Sequence, residues 1–519
     1  VPTGTTKPPK SPVNIFGLFA CRQLYLAPFK NRGFKPHVPK SMKKGDILTG
    51  LKVETMASEG KCVARHEGMV VFVSGAAPGD TVDVELTKIK SAFLEGRTTA
   101  ITEYSPNRSK PFCQHFGLCG GCSWQHIQYE TQLQYKQQQV VDNLERLGGL
   151  TLPPLQPIFG SARQQHYRNK LDFTFTANRW LTKEEMGEGT SFGASGLGYH
   201  LPRMYDRVFD VHECLLQPDP SNGIRLAVKD EAVKAGIPFF DLRKQIGFLR
   251  TLTIRTANGN SPVGSKKEVM IILQVTYDKM EWTEKILKRL EADFPQITSF
   301  NYIINGKKND TFHDLDIVCW KGNPWITEYM SKPDGSGVLQ FRVGPKSFYQ
   351  TNSEQAYELY RIAWQMADLK PHELVYDLYT GTGTIANFVA GQAKQVIGLE
   401  YVAAAIEDAK VNAQLNGITN TSFFAGDIKD LLDDAFLDTH GRPDVIITDP
   451  PRVGMHEDVT KMLLKAAPKR IVYVSCNPAT QARDLKTLSE AYTITAVQPV
   501  DMFPQTMHVE NVVSLVRKG

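Results

Sequence analysis

Val445-Ile446-Ile447-Thr448-Asp449-Pro450-Pro451-Arg452 and, further on, Ile471-Val472-Tyr473-Val474-Ser475-Cys476-Asn477-Pro478 are two apolar, β-branched runs that stop abruptly at polar residues and proline. A continuous apolar run of this length reads as a strand buried on both faces of a parallel sheet. In an open α/β sheet, ligands bind just beyond the carboxyl ends of the strands. The two stretches therefore set a carboxylate, Asp449, and a thiol, Cys476, at the tips of nearby strands facing one crevice. Asp-Pro-Pro alone is a weak signal; a cysteine at the next strand tip makes it specific.

Around these runs, from about residue 341, the pattern is β–α. Leu374-Val375-Tyr376-Asp377-Leu378-Tyr379 is a strand that runs into Thr380-Gly381-Thr382-Gly383-Thr384 and a helix. Val396-Ile397-Gly398-Leu399-Glu400 is the next strand, and it puts an acid where nucleotide-binding sheets engage ribose hydroxyls. A helix over 402–416 precedes a third strand, Thr421 to Asp427, ending in a carboxylate that can accept from an adenine amine. The glycine turn, the acidic strand tip and Asp427 together favour S-adenosylmethionine (SAM) over NAD. A dinucleotide site would use a further glycine at its pyrophosphate, which Thr380-Gly381-Thr382-Gly383-Thr384-Ile385-Ala386 lacks.

The whole chain, at 519 residues, exceeds one hydrophobic core and should divide into three or four domains. Its net charge of +5 permits nucleic-acid binding without demanding it. No apolar run approaches the length of a membrane span. Eight clustered cysteines suggest a metal site in a reducing compartment rather than a disulfide scaffold, and a cytoplasmic monomer is the default expectation. Residues 1–45 carry many Lys and Arg and read as a basic disordered tail, with Met42 as the expected natural start.

Short alternating strands between Gly-rich turns over 46–105, such as Thr81-Val82-Asp83-Val84-Glu85-Leu86, predict a small OB-like β-barrel. Cys113, Cys119 and Cys122 follow, spaced by glycines, with Cys214 the best-placed fourth thiol. The spacing leaves zinc and an iron–sulfur cluster both open. Residues 125–147 predict an amphipathic helix with Ile127, Leu133, Val140, Val141, Leu144 and Leu147 as its apolar positions. Strands at 171–177, 196–200, 249–257 and 268–277, with helices at 222–235 and 280–293, predict a central α+β domain within 106–340. Tyr167-Arg168-Asn169-Lys170 at its entrance suits phosphate contact and base stacking.

These motifs, with Phe348-Tyr349-Gln350-Thr351-Asn352 and His508-Val509-Glu510-Asn511-Val512, resemble the SAM-dependent RNA uracil-5-methyltransferases, in particular the branch acting on 23S ribosomal RNA. The resemblance covers about residue 45 to 519. It implies a TRAM-type N-terminal barrel, a central RNA-binding α+β domain and a Rossmann-like methyltransferase domain over 341–519. It implies a [4Fe-4S] cluster on Cys113, Cys119, Cys122 and Cys214. It also implies a SAM site drawn from Gln350, Tyr379, Thr384, Glu400, Asp427 and Asp449. Thr380 departs from the pattern, since many members carry Cys there, and the 179–195 loop looks extended.

Uracil C5 is too weak a nucleophile to take a methyl group unaided. A thiolate adding at C6 activates it, and a base must then remove the C5 proton. Cys476 is the candidate nucleophile and, by the resemblance, Glu510 the base. Arg452, Phe348, Arg168 and Lys170 are the candidate RNA contacts, and the target base must be unpaired or flipped. Two competing readings are an amino-methyltransferase, which would not need Cys476, and a non-catalytic RNA-binding iron–sulfur protein. A tRNA target is the alternative to ribosomal RNA.

Overall fold

The computed structural model describes residues 42–57, 60–187, 194–202, 204–257 and 267–519. Most of the basic tail, and the loop expected at 258–265, lie outside the described residues. Among the described residues no helix is long and apolar enough to cross a membrane.

The first strands, β1 (Ile47–Met56), β2 (Cys62–His66), β3 (Met69–Ser74), β4 (Thr81–Ile89) and β5 (Phe93–Glu103), close into a barrel in the order β1-β2-β3-β5-β4. Val82, Val84 and Leu86 point inward at every second position and are fully buried, as the alternation predicts. The barrel is tied to the next segment through Asp80. This buried carboxylate accepts from the N–H groups of Ala77 (2.6 Å) and Ser105 (2.9 Å) and from both arms of Arg108 (2.8 and 2.7 Å).

The helix expected over 125–147 spans Tyr129–Asp142 and loosens into a π-turn at Asn143–Leu147. Its buried face mixes apolar and polar side chains. Of the expected apolar positions, Ile127, Val140 and Leu144 are fully buried and Leu147 is 61 % exposed, with Ile127 just ahead of the helix; Thr131, Gln132 and Lys136 are buried beside them. Apolar periodicity does not reveal these buried polar positions, because that side of the helix packs against a polar loop that carries its own charge.

A central sheet follows: β6 (Lys170–Thr176), β7 (Gly196–Leu201), β8 (Met204–Asp210), β9 (Leu249–Thr256), β10 (Val269–Val275), β11 (Ile297–Ile304) and β12 (Val318–Gly322), ordered β12-β11-β10-β9-β6-β7-β8. Helices Ser221–Lys234 and Met280–Asp293 cover it, burying Ile224, Val228, Ile286, Leu287 and Leu290 with Phe173, Phe175 and Leu252. A hairpin of β13 (Ile326–Ser331) and β14 (Val338–Val343) comes next and straddles the boundary expected at 340/341.

The C-terminal sheet contains β15 (Leu374–Leu378), β16 (Gln395–Glu400), β17 (Thr421–Ala425), β18 (Val445–Thr448), β19 (Arg470–Ser475), β20 (Tyr492–Val500) and β21 (Glu510–Arg517). The order is β17-β16-β15-β18-β19-β21-β20; the first five are parallel, and β21 inserts antiparallel between β19 and β20. Both faces are covered, which explains the unbroken apolar runs. Val445, Ile447, Val472 and Val474 face helix Ser353–Ala367. Ile446, Ile471 and Tyr473 face helices Glu457–Ala466 and Pro478–Leu488. Each such fully buried aliphatic side chain contributes about 1.5–3 kcal/mol.

Candidate active site

The crevice begins where β15 ends. Tyr379, Gly381 and Gly383 have left-handed backbone (φ +63°, +55° and +75°), and Gly383 caps the helix Thr384–Val389. A Cβ on Gly383 would lie 2.8 Å from Ala409 Cβ, so only glycine lets the turn close on the neighbouring helix. Gly381 faces open space. Glu400, at the tip of β16, accepts from the N–H groups of Gly381 (3.2 Å) and Val402 (2.9 Å) and so fixes the turn's height. Asp377 anchors the turn from below. Its Oδ2 accepts from Thr380 Oγ1 and Ala386 N, while its Oδ1 is buried without a partner. Burial pushes this carboxyl up to about 7. Asp427 follows β17 as the N-cap of a one-turn helix, accepting from Lys429 N and pairing with its Nζ at 3.0 Å. Thr384 is buried at the first turn of its helix, with Thr382 Oγ1 3.3 Å from its hydroxyl. Gln350 bonds the buried Tyr360 hydroxyl from the far wall.

The next two strands bring the reactive groups together. Asp449 follows β18, and its N–H reaches Leu378 O at 3.3 Å. Cys476 follows β19. Because β21 runs antiparallel to β19 with Ser475 opposite Asn511, the residues at the tip, Cys476 and Glu510, are next to each other. Glu510 is buried. Burial, with Asp449 beside it, pushes its carboxyl up to about 8, against the pull of Arg452. Asp449 is pushed up to about 7 by burial and by Asp377. Burial, Glu510 and Asp449 push the Cys476 thiol up to about 11, while Arg452 draws it down. Four titratable groups thus crowd one crevice with a single guanidinium at its rim. Arg452 is exposed, its Nη2 lies 3.5 Å from His508 Nδ1, and its carbonyl is held by Asn477 and Thr480.

A second constellation lies between the barrel and the central sheet. Cys113, Cys119, Cys122 and Cys214 line one cavity, with Phe112, Phe116 and Tyr199 around them. Polar groups reach three of these sulfurs: Gly121 N lies 3.3 Å from Cys119 Sγ, Tyr199 OH lies 3.8 Å from Cys214 Sγ, and the Gln125 side chain bonds Cys122. Burial raises the bare thiols of Cys119 and Cys122, to about 12 and about 11. Among the described residues, no three His, Cys, Asp or Glu side chains gather closely enough to hold a single metal ion. Cys62 and Cys319 belong to the barrel and to β12 and take no part.

Residues 325–518 match the tRNA (uracil-5-)-methyltransferase family model, and residues 50–99 match the TRAM domain. A chain of Bacteroides thetaiotaomicron described as an uncharacterized RNA methyltransferase is 53 % identical over 89 % of this chain and 99 % of its own length. The chain belongs to the SAM-dependent RNA uracil-5-methyltransferase family. Another RNA methyltransferase relative, from Chlorobaculum tepidum, is 38 % identical over 92 % of this chain and 97 % of its own. Among solved structures, the Pyrococcus abyssi tRNA (uracil-54, C5)-methyltransferase in complex with S-adenosyl-L-homocysteine superposes with a TM-score of 0.68 at 26 % identity. That match covers 90 % of this chain and 100 % of the other.

Within this uracil-5-methyltransferase fold, the residues picked out for RNA contact fare unevenly. Phe348 is 68 % exposed beside the crevice. Lys170 is half-buried and pairs with Asp172 at 3.2 Å. Arg168 stacks on Phe503 at 5.0 Å rather than projecting freely. Tyr167, expected to help contact RNA, is buried, and so is its neighbour Asn169. The Tyr167 hydroxyl donates to Pro504 O at 3.0 Å, and Asn169 Nδ2 donates to Gln350 O and Ser353 Oγ, both at 2.8 Å. That stretch fastens the central sheet to the catalytic unit, a job that sequence alone reads as surface polarity. Sequence reasoning also missed Asp377 and Tyr360 beneath the crevice and the buried Lys136–Asp501 pair at its back. An acid inside the apolar run Leu374–Leu378 was the available signal for Asp377; nothing local marks the other three.

Proposed function

We propose that this protein transfers a methyl group from SAM to C5 of a uridine in 23S ribosomal RNA, through a covalent bond between Cys476 and C6. The observation that carries the reading is the adjacency of Cys476 and Glu510 at paired strand tips, with Asp449 beside them, at the mouth of the glycine turn. As a thiolate, Cys476 adds to C6, and the C5–C6 π pair moves onto C5 and the C4 carbonyl. The pair on C5 forms a bond to the methyl that SAM would present on a positive sulfonium, and the sulfur keeps the S–CH3 bonding pair as a neutral thioether. Glu510 then takes the C5 proton, the C5–H pair restores the C5–C6 double bond, and sulfur departs from C6 with its own pair. A carboxyl near 8 exchanges a proton readily near neutral pH. Asp449 accepts from uracil N3–H, which cytosine lacks. Gln350, Tyr379, Thr384, Glu400 and Asp427 line the side of the crevice where SAM would bind; Arg452 orients the nucleotide and Phe348 stacks on a flipped base.

Cys113, Cys119, Cys122 and Cys214 are the residues that would hold a [4Fe-4S] cluster. Their common cavity supports this. Methyl transfer needs no electron, so the cluster would serve structure. The protein would act as a cytoplasmic monomer with its cysteines reduced.

A tRNA target is the second reading, favoured by the match to a tRNA (uracil-54, C5)-methyltransferase over 90 % of this chain. The breadth of that match means that the barrel by itself does not separate the two RNA classes. Incubating unmodified 23S rRNA and tRNA transcripts with labelled SAM and either wild type or Cys476→Ala, then identifying the nucleoside, tests both. 5-Methyluridine in rRNA, lost in the variant, is the expected result; label confined to tRNA selects the second reading. Product unaffected by Cys476→Ala ends the covalent mechanism.

A further inference from the structure

The antiparallel hairpin of β20 and β21 is joined by residues 501–509, and its last rung pairs Val500 with Glu510. A long connection with no ladder of its own tends to open such a hairpin from the tip inward. Here the tip rung carries Glu510. Cys476 directly follows β19, a strand that is also held by β18 on its other side. Loosening the connection would therefore disturb Glu510 before Cys476.

The connection is clamped from outside the sheet. Lys136, wholly buried, donates to Asp501 Oδ1 at 2.6 Å and to Phe503 O at 3.1 Å. One helical turn earlier, Gln132 donates to Gln505 Oε1 at 2.9 Å and accepts from Gln505 N at 3.0 Å, a reciprocal pair buried on both sides. The N–H groups of Ser123 and Trp124, just after Cys122, both donate to Gln505 O at 2.9 and 3.0 Å. Gln505 is thus held at its amide, its carbonyl and its side chain, with left-handed backbone (φ +67°). A glutamine in that conformation, with every polar group engaged, is the centre of the clamp.

We propose that Gln505 is a positioning residue for Glu510. Locked to Gln132 and to the residues after Cys122, it keeps the hairpin tip closed, so that the carboxyl meets the C5 proton after methyl transfer. This rests on the covalent reading above. The step at stake is the last one: Glu510 takes the C5 proton, the C5–H pair becomes the C5–C6 double bond, and Cys476 sulfur leaves C6 with the C6–S pair. Addition of the thiolate and arrival of the methyl do not depend on the clamp.

The test compares Gln505→Ala and Gln132→Ala, which open the clamp from opposite sides, with Glu510→Gln. All are full-length and are reacted with SAM and whichever unmodified transcript, 23S rRNA or tRNA, the wild type turns over. Denaturing gels and mass spectrometry of the Cys476 peptide measure the RNA–protein adduct that already bears the methyl. The expected result is adduct accumulation in all three, about tenfold above wild type in the clamp variants, with kcat and KM for SAM both reduced about tenfold and kcat/KM unchanged, because methyl transfer precedes the slowed step. A plain loss of stability would lower adduct and turnover together. Normal adduct with reduced kcat in both clamp variants, beside accumulation in Glu510→Gln, overturns the role of Gln505 alone. No adduct in Glu510→Gln overturns the covalent reading and this inference with it.

Discussion

Two buried regions of this molecule hold charge in opposite ways. At the back of the catalytic unit, Lys136 and Asp501 are both fully buried and meet at 2.6 Å, and Tyr129 OH donates to the other Asp501 oxygen at 2.7 Å. In the crevice, Asp377, Asp449, Glu510 and Cys476 face like-charged neighbours, and Asp377 Oδ1 has no partner. The first arrangement is satisfied and silent; the second keeps its groups protonated near neutral pH and ready to exchange. Burial is common to both. What separates scaffold from chemistry is whether the buried groups are paired.

The contrast can be broken most sharply at Cys476. Cys476→Ala should abolish methylation and the covalent adduct with 5-fluorouridine RNA, leaving the circular dichroism spectrum unchanged; residual turnover or trapping would refute the division. Lys136→Met should leave Asp501 buried and uncompensated, lowering stability by about 3–5 kcal/mol in urea unfolding, with Lys136→Met/Asp501→Leu recovering most of it. Glu510→Gln should do the reverse, reducing turnover about a hundredfold or more without loss of stability.

pH should separate the crevice from a paired buried carboxylate in the barrel by sign. Glu510, Asp449 and Asp377 have folded pKa values of about 8, 7 and 7, above their ordinary range. Their contribution to stability is therefore complete below the ordinary carboxylate range and lost as pH rises through about 7–8. Melting of the ligand-free protein at pH 5 and pH 8.5 checks this, and Glu510→Gln should flatten the alkaline loss. Turnover should rise over the same window as Glu510 ionises. Burial alone would raise the Asp80 carboxyl, but Arg108 and the backbone donors bring it below its ordinary value, so its contribution is lost only in acid. The smallest effect is expected at Phe348. Phe348→Ala should raise the KM for RNA about fivefold, the loss of one stacked base, with KM for SAM unchanged.

Much of the crevice was legible because it sits where strong local patterns end. Asp449 and Cys476 terminate apolar runs, and Glu400 ends a strand after a glycine turn, so strand periodicity delivers all three to one edge of a parallel sheet. Glu510 was legible only through resemblance, because nothing local says that the last strand inserts beside β19. The buried polar positions of helix 129–142 were not legible for a related reason. Its polar positions are buried because their partners, Asp501 and Gln505, lie more than 350 residues away in sequence.

The sequence alone determined the strands, the glycine turn, the barrel's alternation and the identity of the groups at each strand tip, because those depend on periodicity and backbone preference over a few residues. Only the tertiary structure decided which buried polar groups would be paired. It brought helix 129–142 against 501–508, set Cys476 beside Glu510 and left Asp377 half-satisfied. Pairing depends on contacts between distant segments, and a buried charge becomes scaffold or reactant according to what those contacts supply.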